Sequence, residues 1–177
     1  SSELILARIW TPGSSTTLIV TDITQQVQEE RQLRFAQIII DRLMKAEALP
    51  DALHTMLHAI LLYAGWHKGA VWIVKDDRLI MRMSLVRNGA GGEEDRRKAR
   101  RASLTLAERS RASGRTAPIF DADSGCVAIP LKANGEVIAV LTFCTGEARA
   151  RDRLTLEVLD GIAERIGMAL KCRINAE

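Results

Sequence analysis

No apolar run in this chain of 177 residues reaches the roughly 18–20 needed to cross a bilayer, so no membrane-spanning helix is expected. The start SSELI is acidic and does not read as a secretory signal. Cysteine is scarce: Cys126, Cys144 and Cys172 are odd in number, widely spaced and form no CxxC. That argues against a disulfide framework or a thiolate zinc site and fits a reducing cytoplasm. Histidine is limited to His54, His58 and His67, all before residue 68, so spacing offers no Ser/His/Asp arrangement. There is no glycine-rich loop followed by Lys-Ser/Thr; Gly89, Gly91 and Gly92 precede an acidic-then-basic run and read as flexible loop. What remains is ordinary for a globular protein: 47% apolar, 27% charged, net charge +3. The length suits one domain with a proper core plus helical extensions.

Along the chain, 3–11 and 16–23 read as two strands around Pro12-Gly13-Ser14-Ser15, a hairpin by turn chemistry. An isolated hairpin is marginal in water and needs a partner surface. From Thr24 to Ala48 there is no Pro or Gly, and a long helix is expected, polar first and then carrying Phe35, Ile38, Ile39, Ile40, Leu43 and Met44. Three consecutive isoleucines cannot share one helix face, so this segment should be buried on more than one side, as in a bundle. Pro50 favours a fresh start, and Leu53, Met56, Leu57, Ile60, Leu61 and Ala64 recur at 3–4 spacing through a second helix. Residues 69–75 and 78–86 form a hairpin around Asp76-Asp77. Residues 87–103 show no apolar period and read as a loop; 104–113 reads as a short helix capped by Gly114, and 116–120 as a brief strand. Residues 126–131 and 136–143 form another hairpin, and a final helix from Arg151 to about Arg173 carries Leu156, Leu159, Ala163, Ile166, Leu170 and Ile174 on one stripe. The order implies an α+β fold, an antiparallel sheet with helices segregated to one side.

Two stretches resemble known families. TDITQQVQEERQL at 21–33 resembles the exit of PAS domains, whose last strand ends in DIT and continues into a signalling helix; Asp22, Ile23, Thr24, Gln28, Glu30, Gln32 and Leu33 fit that pattern. Asp22 or Thr24 can accept hydrogen bonds from the first helical amides, joining strand end to helix start. The resemblance implies that 1–23 is the last hairpin of a PAS domain, that the chain begins inside that domain, and that 24–48 is a connecting helix. LAERSRASGRTAPIFD, SGCVAIPLKANGEVIAVLTF and LEVLDGIAERIGMAL resemble the second half of a GAF domain, with Ala139 where that family usually has Gly. This implies a GAF domain over 49–177: an antiparallel sheet with the N- and C-terminal helices packed on one face and a ligand pocket on the other.

Each candidate residue has a bland reading beside the sharp one. His54 and His58 stand at i and i+4, a spacing that can hold a metal, but no third ligand is evident and two polar-face histidines are preferred; no metal or cofactor is assigned. Cys126 could contact a ligand at the mouth of a GAF pocket. Val127 follows it where bilin-binding members have His, and the clustered cysteines of GAF methionine sulfoxide reductases are absent around it, so a structural thiol is preferred. Trp72, Met81, Met83 and Phe120 complete the pocket candidates, with Met81 and Met83 expected on a common face. RRKARR (96–101), which the GAF resemblance places over the pocket as a lid, has no interleaved aromatic and follows an acidic run; a solvated lid is preferred to an anionic-ligand or partner contact, and nucleic-acid binding is the least favoured reading.

The expected function is that of a non-catalytic sensory module of a cytoplasmic signal-transduction protein. It would be a homodimer through its terminal helices, at Ile38, Ile39, Leu43, Leu159, Ile166 and Leu170, with a possible small-molecule ligand and no nucleic-acid or membrane contact. The alternatives are a small GAF enzyme working through a pocket thiol, of the methionine sulfoxide reductase type, and a ligand-free dimerisation spacer. A downstream kinase or cyclic-di-nucleotide enzyme would read the helix packing.

Overall fold

Strand periodicity and turn chemistry account for most of the architecture. The computed structural model describes residues 4–9, 17–22, 24–87, 93–114, 118–121, 125–144 and 153–176. The chain divides into two compact units, 1–35 and 36–177. In the first, strands β1 (Leu4–Ile9) and β2 (Thr17–Asp22) pair antiparallel, Leu4 opposite Asp22 and Ile9 opposite Thr17. Helix α1 (Thr24–Lys45) begins two residues after β2 ends. The side-chain cap expected of Asp22 or Thr24 lies outside what the structure describes. Arg34 donates to Glu30 one turn back, an exposed pair of the kind that adds a few tenths of a kcal/mol.

The second unit is built on a five-stranded antiparallel sheet of order β4-β3-β7-β6-β5. Its strands are β3 (Lys68–Lys75), β4 (Arg78–Val86), β5 (Ile119–Asp121), β6 (Cys126–Ala133) and β7 (Glu136–Cys144). Both tight hairpins turn through two residues with positive φ, Asp76-Asp77 (49° and 59°) and Asn134-Gly135 (55° and 83°). That backbone matches the right-handed twist of the flanking strands. β6 and β7 are covered on both faces, which is why they read as continuous apolar runs; edge strand β4 alternates between half-buried and exposed. Pro130 lies past the described pairing with β5, which runs only from Cys126 to Ala128, so no described strand partner on the outer side of β6 asks for its missing N–H.

One face of this sheet is packed by α2 (Leu49–Ala64) and α4 (Arg153–Asn175). Leu53, Met56, Leu57, Ile60 and Leu61 of α2 are at most 1% exposed, as are Ile39 and Leu43 of α1 and Ile166 and Leu170 of α4. Each such side chain contributes about 1.5–3 kcal/mol relative to exposure. The second helix stops at Gly65 in the left-handed conformation, and Arg87 Nη1 donates to the carbonyls of Leu61 and Trp66 there. Trp66, fully buried, leans on Phe143 with ring centroids 4.8 Å apart. The isoleucine run is split rather than wholly buried: Ile39 is enclosed, Ile40 is partly covered and Ile38 is 43% exposed.

The opposite face is covered by α3 (Glu93–Ala112). This corrects two expectations: the helices are not all on one side, and 93–103 is not a loop. The basic run belongs to a 20-residue helix that absorbs the short helix expected at 104–113. Its inward stripe is made of small residues, Ala99, Ser103, Ala107 and Ser110 with Leu106, so an apolar period is hard to see in the sequence. Arg and Lys are themselves good helix formers. Gly114 ends the helix as expected, at φ +61°.

α4 crosses β6 at unusually close range. A methyl group on Gly167 would fall 2.7 Å from the carbonyl carbon and 2.9 Å from the amide nitrogen of Lys132, beside the register irregularity between Leu131 and Lys132. Neither backbone can yield cheaply. Gly167→Ala should therefore lose about 1–3 kcal/mol of stability, read from the urea midpoint at unchanged slope. Gly161→Ala, exposed on the same helix, should instead gain up to about 1 kcal/mol from helix propensity. Equal effects would contradict the close-approach argument.

Candidate functional site

The sheet face under α3 is set by alternation and register. In an antiparallel ladder directly opposed residues share a face. Trp72 opposes Val140, Ala70 opposes Thr142, and Lys68 opposes Cys144; Cys126 and Ala128 of β6 oppose Cys144 and Thr142 in turn. Trp72, Ala70, Cys126, Ala128 and Val140 accordingly form one buried cluster with Leu106 and Ala107 of α3.

A hydrogen-bonded group joins the helix to the sheet across this face. Trp72 Nε1 donates to Thr142 Oγ1 at 2.9 Å and, at longer range, to Ser103 Oγ at 3.3 Å. The two hydroxyl oxygens are 2.5 Å apart, one donating to the other. All three residues are at least nine-tenths buried. Each such bond contributes about 0.5–1.5 kcal/mol net, while an orphaned partner here would cost about 1–3. A second tie lies at the far end of α3, where Arg111 donates to the carbonyl and carboxylate of Asp77 in the β3–β4 turn.

Beside the indole–hydroxyl group is a cavity of about 160 Å³, lined by Trp72, Met81, Ser84, Val86, Ala99, Arg100, Ser103, Thr142 and Cys144, with Lys68, Gly69 and Ala70 completing it. No Asp or Glu is among these residues. The surroundings are apolar, with hydroxyls at one wall and cationic side chains at another. Two larger depressions lie elsewhere, one of about 340 Å³ at Leu49, Ile73, Ile80 and Ile174 on the α2/α4 side, the other of about 650 Å³ spanned by the Arg111–Asp77 pair.

The pocket candidates separate. Trp72 and Met81 line the cavity. Met83 does not: Arg82 is left unpaired between Met81, opposite Trp72, and Met83, opposite Val71. This bulge reverses the alternation, so Met81 and Met83 fall on opposite faces, and Ser84 and Val86 take the cavity side. Phe120 opposes Val127 and also falls on the other face. Cys126 is buried behind the cavity wall, and its sulfur is bonded to that of Cys144, which does line it.

That bond overturns the expectation of a solitary Cys126. The two α-carbons are 4.1 Å apart, within the roughly 7 Å that a disulfide can bridge. Counting outward from the Asn134-Gly135 turn would set Phe143 opposite Cys126. The irregularity between Leu131 and Lys132 adds one residue and brings Cys144 there instead. Cys172 is free and exposed on α4.

His54 and His58 stack with ring centroids 6.1 Å apart, both exposed, and no cluster of three metal-ligating side chains occurs among the described residues. Of the expected dimer residues, Ile39, Leu43, Leu159, Ile166 and Leu170 are buried within a single chain, and Ile38 is exposed. No helix is long and apolar enough to cross a membrane among the described residues.

No protein-family model and no curated protein matches this chain. Its fold does match solved structures. The GAF domain of A. aeolicus NLH2 in an inactive state is 16% identical, with 82% of this chain and 99% of that one covered at a TM-score of 0.57. The GAF domain of the E. coli potassium sensor histidine kinase KdpD is 14% identical, covering 80% and 94% at 0.57. Free methionine-R-sulfoxide reductase from Neisseria meningitidis, solved with its substrate, is 13% identical, covering 89% and 96% at 0.58. At such identities the likeness is one of fold, and the fold is GAF-like. It is shared by sensor domains and by an enzyme.

The thiol inventory is directly checkable. Titration of the air-exposed protein in denaturant should find one reactive thiol, Cys172, and three after reduction. Three thiols without reductant would mean that Cys126 and Cys144 do not pair.

Proposed function

We propose that residues 49–177 are a sensory module of a cytoplasmic signal-transduction protein, binding a small molecule in the cavity between α3 and the sheet. The observation that carries this reading is the cavity itself: apolar in the main, enclosed on one side by a helix, with hydroxyls and cations brought together at its walls. Ligand sites commonly have this composition. The likeness of fold to a histidine-kinase GAF domain supports it.

In this reading 1–23 is the tail of a PAS domain and 24–48 the connecting helix. α1 would bring a signal in and α4 would carry one out to a downstream output domain. The module acts as a homodimer. Because five of the six expected seam residues are buried in their own chain, the seam would use the exposed apolar side chains Ile38, Met44 and Met168. Occupancy would act by a population shift: the ligand favours whichever packing of α1 and α4 goes with the better-formed cavity, by its differential affinity for the two.

A second reading, a thiol enzyme, is favoured by Cys126 and Cys144. As a dithiol at the cavity wall the pair could reduce a small sulfoxide: the oxygen leaves as water, the sulfur is reduced to a thioether, and the two thiols become the disulfide. An external dithiol would restore them. The Neisseria enzyme shares the fold.

Native mass spectrometry of the purified chain tests the first reading, with a dimer carrying extra small-molecule mass as the expected result. A bare monomer would contradict it. Turnover of free methionine sulfoxide with dithiothreitol, abolished by Cys144→Ser, would establish the enzyme instead; the sensory reading expects no turnover.

A further inference from the structure

The hydrogen-bond count at the cavity wall points to a class of ligand. Trp72 supplies one N–H, and Ser103 and Thr142 supply two O–H groups. The indole N–H is used on both hydroxyl oxygens, and one hydroxyl proton is used between them at 2.5 Å. Whichever hydroxyl donates in that bond, the other still holds a proton. No further acceptor for it is found among the described residues. Both hydroxyls are buried, at 6% and 1% exposure, and both residues line the cavity. A buried donor in this position calls for an acceptor, and the open space beside it is where one can sit.

Two further features select the acceptor. Arg100 lies three residues before Ser103 on α3 and lines the same cavity from its exposed side; residues at that spacing share a helix face. Among the described residues no carboxylate lines the cavity to oppose it. Size bounds the rest: about 160 Å³ is close to the volume of an apolar cavity of about 150 Å³ known to hold one benzene ring. Met81, Val86, Ala70 and Ala99 give that body an apolar bed.

We propose that the cavity under α3 takes a compact monocarboxylate with a ring-sized apolar body, one carboxylate oxygen accepting the spare hydroxyl proton of the Ser103–Thr142 pair and the charge facing Arg100. This rests on reading the cavity as a ligand site and adds the ligand's chemistry to it. The hydroxyl selects for an acceptor and the arginine for negative charge. A ligand with an ammonium group at that end would meet a cation and a donor, and would be rejected.

Calorimetric titration of the full chain with benzoate, benzamide and benzylamine separates these terms. Benzoate should bind most tightly, benzamide more weakly, and benzylamine not measurably. Arg100→Gln, a change at an exposed position, should weaken benzoate by about 3–10-fold and leave benzamide unchanged, with the difference shrinking in high salt. Thr142→Val should weaken both by about tenfold or more. Benzylamine binding as well as benzoate, or benzoate indifferent to Arg100→Gln, would overturn the proposal. If native mass spectrometry finds a neutral or cationic molecule whose binding is lost in Thr142→Val, the carboxylate class fails while the ligand-site reading stands. If no probe binds and no extra mass is carried, both fail.

Discussion

The bond from the Trp72 indole to the hydroxyls of Thr142 and Ser103 connects residues 70 and 31 positions away from it along the chain. It brings together the central strand, its neighbour and the helix on top. Most packing in the second unit is non-directional apolar burial, which tolerates shifts of a helix along a sheet. This contact does not tolerate them. A misplaced α3 would carry the buried Ser103 hydroxyl away from both the indole and Thr142, leaving only the bond between Trp72 and Thr142 within the sheet, at a cost of about 1–3 kcal/mol. That fixes the rotation and height of a helix whose inward residues are otherwise small. Small residues on a helix fixed in this way leave room over the sheet, and the cavity follows from that combination.

The two sheet faces have different work. The α2/α4 face is dense and aliphatic, with Gly69 and Gly167 letting side chains and backbone approach closely. The α3 face holds the hydroxyls, the cysteine pair and the space. Strand β6 belongs to both: Cys126 lies behind the cavity wall at one end, and Lys132 lies under Gly167 of α4 at the other. In the proposed relay β6 would be the backbone common to the cavity side and the last helix, whose end is tied back by Arg173 donating to the carbonyl of Ala46.

Much of this was legible in the sequence. The hairpin around Asn134-Gly135, the amphipathic stripe of α2 and the apolar runs of β6 and β7 carry their periods openly, and they led to the α+β arrangement. Three features were hidden, each for a physical reason. The first half of α3 looked like a loop because alanine and serine, not leucine and isoleucine, make its inward stripe there. Met83 was misplaced because a single extra residue in β4 reverses the alternation. The partnership of Cys126 with Cys144 was missed because one extra residue in β7, Ile138, opposite the Leu131–Lys132 step of β6, shifts the pairing by one. Bulges have no strong residue signature, yet each one decides which side chains meet. The spare hydroxyl at Ser103–Thr142 could not be read at all without the contact between residues 39 positions apart.

The account depends on the Trp72 indole being held between helix and sheet, so its hydrogen exchange is the measurement to make. With indole nitrogens labelled and the signal assigned by Trp72→Phe, the Nε1 proton should exchange only on the timescale of opening that detaches α3. Thr142→Val should accelerate it without unfolding the sheet. A Trp72 indole proton that exchanges as fast as a solvent-exposed one would mean that α3 is not fixed there, and the cavity, with everything inferred from it, would lose its wall.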